Sequence, residues 1–482
     1  MDKKLFQAVT LTLIFFLLYT FIGKKYFPQD KIFKKPNTST KNIINTQENV
    51  EISVLPELIE EKNEQDLPNH IFGNIYVTYS PKGGYINSIA INEKDNTLPF
   101  KNMGLIPDEK EKEFSVKIEH NRLIFNNSNN EKKIFIFEDN IVTVIISPEN
   151  KSQIILFSNH LSSKMIEQRY QEIFYHKDNL IKRIQPKKVK ETSYENVKFI
   201  GARERYYCFS LLEGDYIVDL KRNKDAVYFY LDSQVKQFSF YIGPQTEKKL
   251  KQFNLQGIMH YGFFHSIGVL MVKILYFFHS FTKNWGISLI IFSFFIYSIL
   301  LPFTMKSTNA MRQMQQIQPL MNELKEKYKD NPTKLQKETM ELYKKHKINP
   351  LGGCLPMFFQ LPIFIALYQV LFRLYELKGA HFLWIKDLSL PDKLFALPFK
   401  IPLIGSSHFN LLPIIVMIIG LLQQKITSSN TASKDQKSMG LFFAVFIGFI
   451  FYNFPSSLVL YWFVQNLLTL IYHTRKAKIK AI

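Results

Sequence analysis

Cysteine is almost missing: 482 residues contain two, Cys208 and Cys354. One sits in a polar stretch and the other at the edge of an apolar one. A disulfide framework is therefore excluded as the basis of the fold, and each cysteine is expected to be a small packing residue. The 11 histidines are scattered without metal-ligand spacing, and there is no glycine-rich phosphate loop or nucleophile elbow. Enzyme chemistry has no visible machinery, and no cofactor or metal is expected. Acidic residues are also scarce, 41 against 61 basic ones, for a formal net charge of +20. That balance suits polyanionic partners such as phospholipid headgroups or RNA, or basic loops on the cytoplasmic side of a membrane. DNA is not expected among the partners. The apolar runs lack acidic coupling residues and show no repeated halves, which argues against a small-solute transporter.

What is present is sharply segregated. The mean hydropathy of −0.08 would pass for a soluble protein, yet the C-terminal half is strongly apolar and the middle polar. A chain of this length allows two or three domains. Leu5 to Ile22 is apolar between lysine pairs, with no small-residue cleavage site after it. It predicts an uncleaved transmembrane anchor over 1–25, its N-terminus in the cytoplasm. Residues 26–70, rich in Asn, Lys, Glu, Thr and Pro, read as a linker.

Period-two runs follow in 71–255, among them Ile75 to Tyr79, Tyr85 to Ile91, Lys133 to Phe137 and Val227 to Leu231. Turn signals such as Pro81-Lys82-Gly83-Gly84 and Asn126 to Asn130 separate them. An antiparallel β-sandwich is the expected class, serving either as a binding domain for sugar or protein or as a scaffold with no site of its own.

From 256 onward the pattern is helical. Residues 262–282 predict an amphipathic helix lying in a membrane interface, because Lys273 and the nearby histidines spoil a span. Apolar spans are expected at 285–305, 354–375, 409–424, 438–454 and 458–473. Between the first two, 306–348 predict a charged helical hairpin in which Pro319 kinks the first helix and Asp330-Asn331-Pro332 starts the second. Met311, Met314, Ile317, Leu320 or Met321, Leu324 and Tyr328 recur at helical spacing, either as a seam between the two helices or as an adaptable surface for greasy segments. Placing the basic hairpin, the Lys425 to Lys437 loop and the Arg475-Lys476-Ala477-Lys478 tail inside gives six spans, both termini cytoplasmic and the β-domain outside.

These residues resemble the YidC family of membrane protein insertases, in its Gram-negative form with a periplasmic domain. The resemblance rests on Asn284-Trp285-Gly286, Gln318-Pro319, Asn349-Pro350-Leu351-Gly352-Gly353-Cys354, Gln360-Leu361-Pro362-Ile363-Phe364, Trp384-Ile385-Lys386-Asp387-Leu388 and Phe454-Pro455-Ser456-Ser457-Leu458-Val459-Leu460-Tyr461-Trp462. It implies a multi-domain membrane protein: a polytopic α-helical insertase core of six transmembrane spans, one N-terminal and five C-terminal, plus an all-β periplasmic supersandwich. It also implies a hydrophilic groove open to cytoplasm and lipid. Polar residues inside the spans are its candidates: Ser293, Tyr297, Gln360, Tyr461 and Trp462. Simpler readings exist beside each. Ser293 can bond its own helix backbone, and Tyr461 and Trp462 can be interfacial anchors. An amide such as Gln360 in an apolar run is costly without a partner. Where the family carries a groove arginine, eleven residues past Asn284-Trp285-Gly286, this chain has Tyr297.

The expected function is insertion and chaperoning of nascent membrane proteins in the bacterial inner membrane, alone or with the Sec translocon, among membrane lipids and with a possible ribosome contact. The competing expectation is a membrane-anchored periplasmic carbohydrate-binding or sugar-modifying protein, in which the β-domain acts and the spans only hold it.

Overall fold

The computed structural model describes residues 67–479 except 92–96, 130, 148–153, 161–169, 224–225, 232–234, 350–354, 403 and 428–433. The expected N-terminal anchor, nearly all of the expected linker, and Pro350 to Cys354 of the Asn349 to Cys354 motif lie outside the described residues.

Alternation of apolar and polar side chains builds two antiparallel sheets between Asn69 and Pro244. The eight-stranded sheet begins as a meander of Asn69–Phe72, Ile75–Ser80, Tyr85–Ile91 and Thr97–Met103. It continues through Ile154–His160, Ala226–Leu231, Tyr216–Arg222 and Thr192–Val197. The nine-stranded sheet runs from Leu180–Ile184 and Glu172–Lys177 at one edge to Arg122–Asn126 and Ser115–Glu119 at the other. Period-two patterning gives each strand one core face, and phenylalanines fill the space between the sheets. Phe157 of the first sheet lies 4.0 Å from Phe209 of the second, and Phe72 stacks on Phe137 at 4.2 Å. The four period-two runs named above are all strands. Cys208 is buried in this region, and burial pushes its thiol up, which makes it unreactive.

Nine helices follow among the described residues: α1 (Glu247–Gln252), α2 (His265–Thr282), α3 (Trp285–Gln316), α4 (Gln318–Lys327), α5 (Pro332–Lys345), α6 (Leu355–Leu371), α7 (Leu411–Thr427), α8 (Lys434–Phe451) and α9 (Ser456–Ile479). α3 alone is long and apolar enough to cross a membrane; shorter apolar helices cover Gln360–Leu371, Leu411–Ile426 and Gly440–Phe451. At 1.5 Å per residue α3 reaches about 48 Å, more than a hydrocarbon core of about 30 Å. It therefore continues without a break into the first arm of the charged hairpin. The break comes at Ile317, so Pro319 does not kink a helix: it sits in the first turn of α4, where its missing N–H costs nothing. Asn331 caps α5 by accepting from the Lys334 amide at 3.0 Å. Ile317 is buried in the hairpin region, but Met311 and Leu320 are exposed, so the apolar stripe is not closed into a continuous seam.

A polar joint holds the sheets to the helices. Arg205 donates to the Phe372 carbonyl at 2.6 Å and the Ser389 carbonyl at 3.2 Å, and its guanidinium lies 4.2 Å from the Phe372 ring. A cation from the β-region thus satisfies the carbonyl end of α6. Beside it, Arg203 pairs with Glu172 at 2.6 Å and reaches the Ile258 carbonyl, while Arg373 donates to the His260 carbonyl. Tyr276 of α2 donates to Glu376, whose carboxyl is held above the usual range by burial.

Hydrogen bonds to a charged group contribute about 1.5–3 kcal/mol. Arg205→Ala is therefore expected to raise amide exchange at the C-terminal turn of α6 by roughly ten- to a hundredfold, at 1.36 kcal/mol per decade. Hydrogen-exchange mass spectrometry of peptides covering 366–376 checks this; unchanged exchange there would show that Arg205 does not hold the joint.

Candidate functional site

The helices after α2 are sorted inside out. α3 exposes Ile287, Ile291, Phe294 (57%) and Ile299 on one face and buries Leu289, Phe292, Ser293, Ile296 and Tyr297 on the other. α8 exposes Leu441, Phe442, Val445 and Phe449. Contiguous exposed apolar faces mark a surface that meets a membrane or another protein. α7 and α8 close on one another through small residues. A Cβ on Gly440 would fall 2.1 Å from the Gln424 amide, one on Gly448 2.9 Å from Met417, and Gly420 abuts Ala444. Such surfaces suit packing without a hydrophobic driving force.

α9 is the spine of the arrangement. Its residues Tyr461, Gln465 and Leu468 recur at helical spacing and meet two neighbours. Gln360 of α6 donates its amide to the Tyr461 hydroxyl at 2.8 Å. Gln465 donates to the Ser293 carbonyl at 2.8 Å, and Tyr297 donates its hydroxyl to the Leu468 carbonyl at 3.3 Å, both on α3. On the adjacent face Trp462 sits edge-to-face with Phe364 and Phe451, and the Asn466 carbonyl accepts from Gln423 of α7 at 2.6 Å. Every one of these bonds joins two helices.

The sequence motifs acquire physical reasons here. Asn284 caps α3 by accepting from the Ile287 amide, Trp285 stacks on His279 at 3.9 Å, and Gly286 leaves room for the Phe382 ring, which a Cβ would meet at 2.1 Å. The Trp384 to Leu388 motif and the Phe454 to Trp462 motif lock together. The amides of Ser456 and Ser457, free at the start of α9, donate to the carbonyls of Leu390 and Leu388 at 2.8 and 3.0 Å. Trp384 in turn donates to Asp392, which also accepts the Leu411 and Leu412 amides at the start of α7.

The five residues singled out from the sequence all lie around α9. Gln360 and Tyr461 are directly paired. Tyr461 is completely buried, so it is not an interfacial anchor. Ser293 turns its hydroxyl to the Leu289 carbonyl of its own helix at 2.6 Å, and it meets Gln465 only through its backbone. Tyr297 ties α3 to α9 in the place of the expected arginine, and Lys306, the next basic residue on α3, is exposed. Trp462 belongs to the aromatic face rather than to the hydrogen-bonded one. Sequence reading missed Gln465, Asn466, Gln423 and Gln424. The signal was available: two amide pairs, Gln-Gln and Gln-Asn, stand inside otherwise apolar runs. Among the described residues, no three His, Cys, Asp or Glu side chains gather as metal ligands.

Comparison with known proteins points one way. A family model described as 60Kd inner membrane protein matches residues 277–480. The Membrane protein insertase YidC of Campylobacter jejuni is 28% identical over 98% of this chain and 94% of its own length. The YidC of Citrifermentans bemidjiense is 40% identical over 48% of this chain and 41% of its length, and that of Syntrophobacter fumaroxidans 36% over 58% and 52%. The chain thus spans nearly all of one such relative and about half of others. A crystal structure of an active YidC insertase aligns over 84% of this chain and 91% of that one, at 19% identity and a TM-score of 0.44.

Interhelical hydrogen bonds among apolar helices average about 0.6 kcal/mol, so Tyr297→Phe is expected to lower stability by less than about 1 kcal/mol. Gln360→Leu leaves the buried Tyr461 hydroxyl alone and is expected to cost about 1–3 kcal/mol. Thermal unfolding of the purified full chain in detergent ranks the two. A larger loss for Tyr297→Phe would contradict the hydrogen-bond assignment.

Proposed function

We propose that the chain is a YidC-type membrane protein insertase and chaperone of the bacterial inner membrane, where it integrates nascent membrane proteins; the match of its helical half to the 60Kd inner membrane protein family and its likeness along nearly its whole length to one YidC support this reading. The observation that carries the reading is the sorting of the helices, with apolar faces outward and hydrogen-bonding side chains from α3, α6, α7 and α9 inward. That sorting suits lipid around the bundle and a polar path within it.

In this reading residues 1–25 anchor the chain, 26–70 link, and 71–255 form a periplasmic supersandwich. Residues 256–482 form the insertase core, and both termini are cytoplasmic. The interfacial segment 262–282 lies on the outer side, and the spans are 285–305, 354–375, 409–424, 438–454 and 458–473. The hairpin at 306–348 receives a nascent segment on the cytoplasmic side. Tyr297, Gln360 and Trp462, joined by Gln465, Asn466 and Gln423, line the groove, and Ser293 and Tyr461, buried at the contacts between helices, become part of it as those contacts exchange partners. A substrate's polar flank faces a large desolvation cost in hydrocarbon, and amides able to exchange partners shorten the dry path. Burial of the substrate's apolar helix in lipid supplies the driving force, so no nucleotide is consumed and no bond is made or broken. With Tyr297 in place of an arginine, attraction of acidic substrate tails is weak. In this reading the chain works alone or with the Sec translocon, and its basic tail from Arg475 is a solvated cytoplasmic flank rather than a dedicated ribosome contact.

The insertase reading expects that deleting residues 71–243 leaves a substantial part of insertion activity, at some loss of stability because Arg205 goes with them. Deleting 306–348 is expected to abolish activity. A carbohydrate-binding role for the β-domain expects the reverse order. Complementation of a strain depleted of its own insertase, with insertion followed by protease protection, separates them. In the same assay Gln360→Leu is expected to reduce insertion more than Tyr297→Phe does. Loss of growth from Tyr297→Phe alone would sink the groove assignment.

A further inference from the structure

The segment joining α6 to α7 carries an apolar hairpin that neither the spans nor the polar cluster uses. Phe395–Ala396 pairs antiparallel with His408–Phe409, and the arm beyond is stitched by Leu397 to Ser407 and Ile401 to Ser406 backbone bonds, each 2.8 Å. Phe395 stacks on Phe409 at 4.9 Å. Even so, Leu394, Phe395 and Phe399 (60%) remain exposed. The arm is not free to wander. At its base Asn410 donates to the Tyr452 carbonyl at 2.7 Å and accepts from the Lys393 amide at 3.0 Å. Near its tip the Ile404 carbonyl accepts from Asn453 at 3.0 Å. Base and tip are thus fastened to neighbouring residues of the turn between α8 and α9, so the hairpin lies across the helix ends at one level.

We propose that this hairpin is a lipid-docking element that seats Leu394, Phe395 and Phe399 in the outer leaflet while Lys393 and Lys400 contact phospholipid phosphates. The proposal rests on the membrane-spanning reading above. Its level is set by the start of α7 and the end of α8, the helix ends that reading puts at the outer boundary. Its charge is one-signed: no acidic residue lies between Lys393 and Leu412, and Asp392 is already committed to the α7 amides. Exposed aromatic and aliphatic side chains flanked by lysines match an anionic bilayer surface.

The test uses the full chain in vesicles of phosphatidylglycerol and phosphatidylcholine, with single cysteines carrying an environment-sensitive fluorophore in a Cys208→Ala, Cys354→Ser background. Phe399→Cys reports the hairpin and Phe294→Cys the outward face of α3. Ile118→Cys reports the sheet edge farthest from the joint. Quenching by nitroxides near the lipid headgroup is expected to be at least twofold stronger at 399 than at 118, and to fall when Lys393→Glu and Lys400→Glu are introduced or the anionic lipid is omitted. Deep nitroxides are expected to quench 294 throughout. Quenching at 294 with none at 399 overturns the hairpin proposal, as does disulfide crosslinking of 399 to a second copy. Failure at 294 overturns the spanning reading itself.

Discussion

A hydrogen-bonding side chain among apolar helices must find a partner within the protein, on its own helix as Ser293 does or on a neighbouring one as Gln360 does. That constraint organises the C-terminal half of this chain. α9 contains Gln465 and Asn466 in the middle of an apolar run, and α6 contains Gln360 near its start. Three amides reach across to a neighbouring helix, Gln360 to the Tyr461 hydroxyl, Gln465 to the Ser293 carbonyl and Gln423 to the Asn466 carbonyl, while the Asn466 amide turns back to the Trp462 carbonyl of its own helix. The bundle is therefore held together at the same positions that the insertase reading proposes as a polar route through it. An interhelical bond of about half a kcal/mol to one kcal/mol is strong enough to specify the packing and weak enough to be exchanged for a passing polar group.

The same logic closes the ends of the helices. Four amides at a helix start need acceptors, and α9 finds two of them in the Leu388 to Leu390 turn, far away in sequence. Asp392 does the same for α7, and Arg205 brings a cation from the sheets to the carbonyl end of α6. The β-region thus supplies a cap to the helical region in addition to its own core. A joint made from Arg205 on the end of α6, with Arg203, Arg373 and the Tyr276–Glu376 pair beside it, is specific in geometry and joins two units that fold around separate cores.

Much of the architecture was legible because periodicity is a direct consequence of backbone geometry. Alternation in Ile75 to Tyr79 and Lys133 to Phe137 could only serve strands with one buried face, and Asn331-Pro332 could only start a helix. Pro319 was misjudged since a proline in the first turn and a proline in mid-helix look alike until the break before it is known. The candidate residues were found as polar exceptions in apolar runs, but their roles were not legible. Nothing in the spelling of Ser293 says that its carbonyl rather than its hydroxyl meets α9, and nothing in the run from Leu458 to Tyr472 tells that Gln465, one turn beyond Tyr461, is the residue turned toward α3. Partner choice across helices depends on rotation and register, which only the packed structure fixes.

On the insertase reading the polar cluster around α9 lies on the path of an inserting segment. A photo-crosslinking amino acid placed in turn at 360, 461 and 465, with 294 as the outward-facing control, would test it against a ribosome-stalled membrane protein. Crosslinks to the nascent chain are expected from 360, 461 and 465 while its polar flank is crossing, with a later contact at 294 as its helix passes into lipid. Crosslinks from 294 alone, or from none of the three interior positions, would contradict it.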